Sequence, residues 1–264
     1  MPFSEIEKIK TYKFESLAGE ALVQVVFTRH GGVSQAPWAS LNLGGTVGDN
    51  PVDVQENRRL AFQSIELSQE RMYDVWQVHS DKVVITDKPR PAIQEHLKAD
   101  AILTDRPGLA LFMRFADCVP IFLFDPVQKA VGLVHAGWRG TVNQIAGRAV
   151  RTMQQIYGTR PQDVLAGIGP SIGPHHYEVG KEVIEQVQQS FGSDAAGLLQ
   201  TSSTNGHGVK LDLWSANHLV LERSGVRQVE LSGICTACHL DDWYSHRGEA
   251  GRTGRFGAVI QLTD

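Results

Sequence analysis

Residues 130–157 read AVGLVHAGWRGTVNQIAGRAVRTMQQIY, and this stretch decides the fold class. Ala130 to His135 is an apolar run rich in β-branched valine, which reads as a buried strand. Thr141 to Tyr157 reads as one helix. Its apolar residues Val142, Ile145, Ala146, Ala149, Val150, Met153 and Ile156 recur at i, i+3, i+4, i+7, and Thr141 is the expected N-cap.

The same reading extends in both directions. Upstream, strands are expected at Val23–Thr28, Tyr73–His79, Val83–Thr86, Ala101–Thr104, Leu109–Phe115 and Ile121–Phe124, with a helix over Asp53–Leu67. Alternation along Tyr73–His79 predicts Val75, Gln77 and His79 on one face, and Pro120 is expected to bend its strand. Downstream come a strand at Val164–Ile168 and helices over Lys181–Phe191 and from the N-cap Asp212 to Arg223. Strands at Val229–Ile234 and Phe256–Leu262 close the chain. Strands outnumber helices, and only some alternate with them. The expectation is α+β (mixed α/β): a single domain over residues 1–264, with mixed β-sheets covered by helices in layers.

Composition narrows the function classes. The 264 residues carry 42% hydrophobic and 20% charged residues and a net charge of -4, with no broad basic stripe of the kind nucleic acid selects. No nucleic-acid partner is expected. No apolar run approaches the ~20 residues of a membrane span, and residues 1–20 lack the apolar core of a signal peptide. A soluble, cytoplasmic protein without membrane partners is the expectation. Three cysteines make no disulfide framework, so each is read as packing, ligand or nucleophile.

Three segments place a soft or imidazole side chain where a strand-forming run stops: His79 after Gln77-Val78, Cys118 within Ala116-Asp117-Cys118-Val119-Pro120, and His135 before Ala136-Gly137-Trp138. Taken singly, each is as readily a packing residue as a ligand. Together they suit two chemistries. Two His and one Cys leave a fourth tetrahedral position open on zinc. The same residues make a Cys-His nucleophilic pair, with Cys118 activated by His135 or His79. Spacing alone leaves both open. The Cys235-Thr236-Ala237-Cys238-His239 segment matches a haem-attachment pattern or a second zinc site, with packing or turn use as the default. Ser245 to Arg255 is a basic loop suited to an anion or simply to water.

Ordered motifs span nearly the whole chain. They include Thr28-Arg29-His30-Gly31-Gly32, Ser40-Leu41-Asn42-Leu43-Gly44, Asn57-Arg58, Gln77-Val78-His79, Ala99-Asp100-Ala101, Ala116-Asp117-Cys118-Val119-Pro120 and His135-Ala136-Gly137-Trp138-Arg139-Gly140. Gly169-Pro170-Ser171-Ile172-Gly173-Pro174, Tyr177-Glu178-Val179, Leu211-Asp212-Leu213, Cys235-Thr236 and Ser245-His246-Arg247 follow in order. In these the chain resembles the YfiH/YlmD-like laccase-domain (polyphenol oxidoreductase) family. The resemblance implies a four-layer fold shared with certain cysteine hydrolases, and a zinc-linked site falling on His79, Cys118 and His135. It implies phosphorolysis of adenosine, inosine, guanosine and methylthioadenosine with inorganic phosphate, and adenosine deamination alongside. The chain departs from the family at His175-His176, where two cysteines are frequent.

For phosphorolysis the substrate-side candidates are Arg58 with Asn42 for phosphate and Gln77 for base or ribose. The His-x-Glu and Pro-Cys-x-x-Cys signature of zinc deaminases is absent, so deamination needs a different site. The rivals are a cysteine hydrolase using Cys118 and a copper-dependent polyphenol oxidase. Ten His without a His-x-His pair suit multicopper chemistry poorly. Zinc is therefore the favoured metal and copper the lesser one. Oligomeric state is left open.

Overall fold

The computed structural model describes residues 2–19, 21–201 and 208–263. In chain order its elements begin with β1 (Phe3–Ile6), β2 (Ile9–Tyr12), β3 (Leu22–Phe27), α1 (Pro51–Ser64), β4 (Met72–Asp74), β5 (Val83–Ile85) and β6 (Ala101–Thr104). The centre of the chain forms β7 (Ala110–Phe115), β8 (Val119–Asp125), β9 (Ala130–Ala136), α2 (Trp138–Val142), α3 (Ile145–Tyr157) and β10 (Leu165–Ile168). The remainder forms β11 (Glu178–Val179), α4 (Lys181–Phe191), α5 (Ala195–Leu198), β12 (Leu199–Thr201), β13 (Val209–Leu211), α6 (Leu213–Arg223), β14 (Gln228–Leu231) and β15 (Phe256–Leu262).

Two six-stranded mixed sheets dominate, in the orders β1-β2-β3-β15-β7-β4 and β14-β10-β8-β9-β6-β5, beside a small β11-β13-β12 sheet. Alternation along the strands explains how they stack. Leu111, Met113 and Phe115 of β7 meet Phe122 and Phe124 of β8 and Val131 and Leu133 of β9 between the sheets. The opposite residues of β8 and β9, among them Ile121, Leu123 and Val134, pack on α3, α4 and α6. Val25, Phe27, Phe112 and Val259 turn the other way and pack under Ala61 and Phe62 of α1. The result is the expected layered α/β domain: α1, sheet, sheet, helices.

Several boundaries differ from the sequence reading, each for a local reason. The helix expected over Thr141–Tyr157 is two helices, because Gln144 takes a left-handed conformation (φ 57°) that ends α2 and starts α3. Thr141 is therefore not an N-cap; it lies inside α2, where its hydroxyl donates to Gly137 O. The helix starts earlier, and the break keeps both Val142 and Ile145 buried. Helix α1 begins at Pro51, two residues early, because Asn50 caps it by accepting from Val52 N and Pro51 suits the first helical position. The strand expected over Tyr73–His79 stops at Asp74. Beyond it the Gln77 side chain takes the place of backbone pairing, accepting from Arg114 N and donating to Arg114 O. Strand β8 runs unbroken through Pro120, which sits opposite His135. The strand expected over Val229–Ile234 ends at Leu231.

Gly167 in β10 shows how closely the inter-sheet layer is filled. A Cβ there would lie 2.8 Å from the Phe14 ring, which packs edge-on against Tyr12 and Phe122 at centroid separations of 5.2 Å. Gly167→Val is expected to destabilise the domain by about 1–3 kcal/mol through overpacking. Thermal denaturation followed by circular dichroism reads this directly, and an unchanged Tm would refute the packing argument.

Candidate active site

Antiparallel register brings two of the three sequence-predicted ligands, Cys118 and His135, together. In the order β8-β9-β6, Val119 pairs with Ala136 and Ala101 pairs with Val134. One step further along each ladder sets Cys118 beside Gly137 and Asp100 beside His135, whose backbone N donates to Asp100 O at 2.7 Å. All lie at one end of the inter-sheet layer. There His135 faces Phe115 of the other sheet, with ring centroids 5.4 Å apart.

His79 arrives from a loop, not a strand. That loop is shaped by the fully buried Asp100 carboxylate, which accepts from the backbone N–H groups of Val78 (3.3 Å), His79 (3.0 Å) and Ser80 (2.5 Å) and from the Ser80 hydroxyl (2.7 Å). His79 takes φ 59° to complete this wrap. The same carboxylate is 2.9 Å from His135 Nδ1. A carboxylate only accepts, so Nδ1 carries a proton and Nε2 is the nitrogen turned toward Cys118. The Cys118 sulfur lies 3.7 Å from His79 Nε2, and the two imidazoles meet edge-on at 4.9 Å. One ligand atom from each of the three residues falls within 4.8 Å of the others, a spacing compatible with one metal ion. Gly137 makes the room: a Cβ there would come within 2.9 Å of the Cys118 sulfur and of the His79 ring.

Asp117 holds Cys118 from behind. At φ 81° it points away from the triad and accepts from Thr236 Oγ1 (2.7 Å), Ser245 Oγ (2.6 Å) and Arg247 N (2.6 Å). The basic loop of residues 245–255 is thus bound to the site. Arg255 is near enough to feel the Cys118 and Asp117 charges, although burial is the larger influence and lowers its pKa. Sequence reasoning missed Asp100 as a site residue and placed Arg255 only within the basic loop. A lone aspartate between Ala99 and Ala101, just before a buried strand, was the available signal for the first.

The substrate-side candidates are placed as follows. Asn42 and Arg58 do meet at one turn. Asn42 is fully buried and uses all four of its hydrogen-bonding positions, donating to Gly44 O and Asp49 Oδ2 and accepting from Gly44 N and Arg255 N. These bonds make Asn42 the group that sets the turn and holds the Arg255 backbone. Arg58 donates Nε and Nη2 to Leu43 O, and among the described residues its Nη1 has no hydrogen-bond partner. Burial first, then Arg114, push its pKa down to about 10, so it remains a cation at neutral pH. Gln77 spends its amide on Arg114, as described above.

Burial alone would raise the Cys118 thiol, but His135 and then His79 outweigh it and bring the thiol down to about 6. Burial would lower His135, yet Cys118 and Asp100 raise it to about 9. Asp100 is held below the usual carboxylate range because the His135 and Ser80 donors outweigh its burial. In metal-stripped protein the thiolate–imidazolium pair therefore exists between about pH 6 and 9. A depressed thiol pKa gives stability that is lost as pH falls through 6; a raised imidazole pKa gives stability lost as pH rises through 9. Iodoacetamide is expected to modify Cys118 with a rate midpoint near pH 6, and a midpoint near 9 would refute the pairing. Asp100→Asn is expected to weaken any metal binding at the triad about 10–100-fold in chelator competition, since it removes the group that orients His135; undiminished affinity would refute that role.

The chain matches the family described as "Multi-copper polyphenol oxidoreductase laccase" over residues 23–263. It is 37% identical over 245 residues to purine nucleoside phosphorylase YlmD of Bacillus subtilis, covering 90% of this chain and 87% of that one. It is 38% identical over 235 residues to a purine nucleoside phosphorylase of Deinococcus radiodurans, covering 89% and 87%. The crystal structure of YlmD from Geobacillus stearothermophilus superposes with a TM-score of 0.92 at 34% identity, covering 100% of this chain and 99% of that one. YfiH of Bacillus licheniformis superposes at 0.90 with 31% identity, covering 99% of each. The chain belongs to the multi-copper polyphenol oxidoreductase laccase family, the family of YlmD and YfiH.

Proposed function

We propose that this protein is a zinc-dependent purine nucleoside phosphorylase. It acts on adenosine, inosine, guanosine and methylthioadenosine, with adenosine deamination as a side activity. The observation that carries the reading is the His79–Cys118–His135 donor set, oriented by Asp100, in a chain whose relatives are named purine nucleoside phosphorylases.

One sulfur and two imidazole nitrogens fit zinc and leave a fourth position open. Bound there, zinc would supply a Lewis acid that stabilises developing negative charge. The remaining work falls to side chains. In phosphorolysis a phosphate oxygen bonds to the anomeric carbon as the N-glycosidic bond breaks. The purine leaves with the electron pair and takes up one proton, balanced by the one the attacking phosphate gives up, giving free base and ribose 1-phosphate, or methylthioribose 1-phosphate from methylthioadenosine. Arg58, a cation whose Nη1 has no hydrogen-bond partner among the described residues, is suited to hold phosphate, and Arg255 adds positive charge on the Cys118 side. His135 is the group through which Asp100 sets proton position at the triad. Phe115, packed on His135, is part of the apolar wall that excludes water there.

The test is phosphate-dependent release of free base from each nucleoside, with zinc content measured in parallel. Cys118→Ala is expected to lose at least about 10²-fold in kcat/KM. Arg58→Ala is expected to raise KM for phosphate about 10–100-fold, the loss of a charged hydrogen bond. Base release that is independent of phosphate would indicate a hydrolase using Cys118. Release from none of the four nucleosides would sink the phosphorylase reading.

A further inference from the structure

A second set of metal-competent side chains lies apart from the triad. His175 and His176 sit on the single 3-10 turn Pro174–His176, and Cys235 and Cys238 sit on the loop after β14. One ligand atom from each lies within 4.8 Å of the other three. His175 Nε2 is 3.0 Å from the Cys238 sulfur. The imidazoles of His175 and His176 are 4.8 Å apart. Ligand atoms around tetrahedral zinc are separated by about 3.3–3.8 Å, from Zn–S and Zn–N bonds of about 2.3 and 2.0 Å. The four atoms are thus gathered to within about an ångström of that arrangement.

The two loops are held in this register by main-chain bonds independent of the four side chains. Ser171 N donates to Ile234 O, and Thr236 N donates to Ser171 O. Gly173 N donates to the Cys235 sulfur at 3.1 Å, tying the turn directly to that cysteine. A Cβ at Gly173 would fall 2.6 Å from the His175 ring and 3.1 Å from Cys235 Cβ, so this close approach requires glycine.

We propose that His175, His176, Cys235 and Cys238 form a second metal site, closed and structural, selective for a borderline-soft divalent cation of the zinc class. Four protein donors leave no open position, which separates it in kind from the three-donor triad. Two sulfurs and two imidazoles face one another there. The site staples the 173–176 turn to the 235–238 loop. Both segments reach the triad through Asp117. Ile172 N donates to Asp117 O, Thr236 Oγ1 donates to its carboxylate, and Arg247 bridges that carboxylate to His176 O and Glu178 O. Metal at the second site therefore braces the backbone that presents Cys118.

The experiment is Co2+ titration of the full chain after chelation under reducing conditions, read by thiolate-to-cobalt charge transfer, tetrahedral d–d absorption and bound metal per chain. Wild type is expected to take up two equivalents. Cys118→Ala is expected to retain one, with the spectrum of a two-thiolate tetrahedral site. Adding either Cys238→Ser or the double change His175→Ala and His176→Ala is expected to abolish that remaining equivalent. In the Cys118→Ala background zinc is expected to raise Tm, and the rise should vanish with Cys238→Ser; Cys238 and both histidines are exposed, and circular dichroism confirms that each variant is folded. Cys118→Ala protein that binds no metal overturns the proposal. So does an equivalent that survives both Cys238→Ser and the histidine changes. Cys235 and Cys238 that join as a disulfide and, once reduced, still bind no cobalt overturn it equally.

Discussion

The site depends on one buried carboxylate. Asp100 is wholly inaccessible and accepts from five donors belonging to Val78, His79, Ser80 and His135. Taking an isolated carboxylate out of water costs several kcal/mol, and hydrogen bonds to charged groups return about 1.5–3 kcal/mol each. With five donors the burial is sustained; with one or two it would not be. The interaction therefore compels the loop of residues 78–80 to close around Asp100. That closure delivers His79 to a site otherwise built from strand ends, and the same oxygen atoms fix which nitrogen of His135 faces Cys118.

A second pattern repeats this logic on the other six-stranded sheet. Asp74, 1% exposed at the end of β4, gathers Arg90, Arg114 and His96. Burial opposes its ionisation, but Arg114 and then Arg90 hold its pKa low. Asp117 does the same for the loop beneath Cys118, using neutral donors from residues distant in the chain. The active end of the sandwich is thus organised by three carboxylates that the chemistry itself need not touch. They convert a flexible set of loops into a fixed frame, at the expense of requiring every donor to be present.

Much of the fold was legible from periodicity. Lys181–Phe191 and Phe256–Leu262 match the observed elements residue for residue, and Asp212 caps α6 by accepting from Ser215 N. These segments are decided locally, by spacing of apolar residues and by capping chemistry. Errors fall where a side chain does backbone work or where the backbone turns left-handed. Gln77 replaces a strand, Gln144 divides a helix, and His79 leaves the expected β face. The short strands β1, β2 and β11–β13 were not read at all. β1 pairs with its neighbour β2 across the tight turn at Glu7 and Lys8, while β1 and β11–β13 are short and mostly exposed or half-buried, so no apolar alternation marks them.

Residue types and hydrophobic periods were enough for the layered α/β class, for naming the three side chains that meet at the triad and, through ordered motifs, for the family. Ligand types and hydrophobic periods are properties of residues and their near neighbours. Only the tertiary structure decided that Asp100 orients the triad, that Asn42 is saturated within the protein, and that His175-His176 faces Cys235 and Cys238. Those facts depend on which strand ends lie side by side. Register across β8, β9 and β6, together with the loops that cross between sheets, is set by long-range packing that no local spacing encodes.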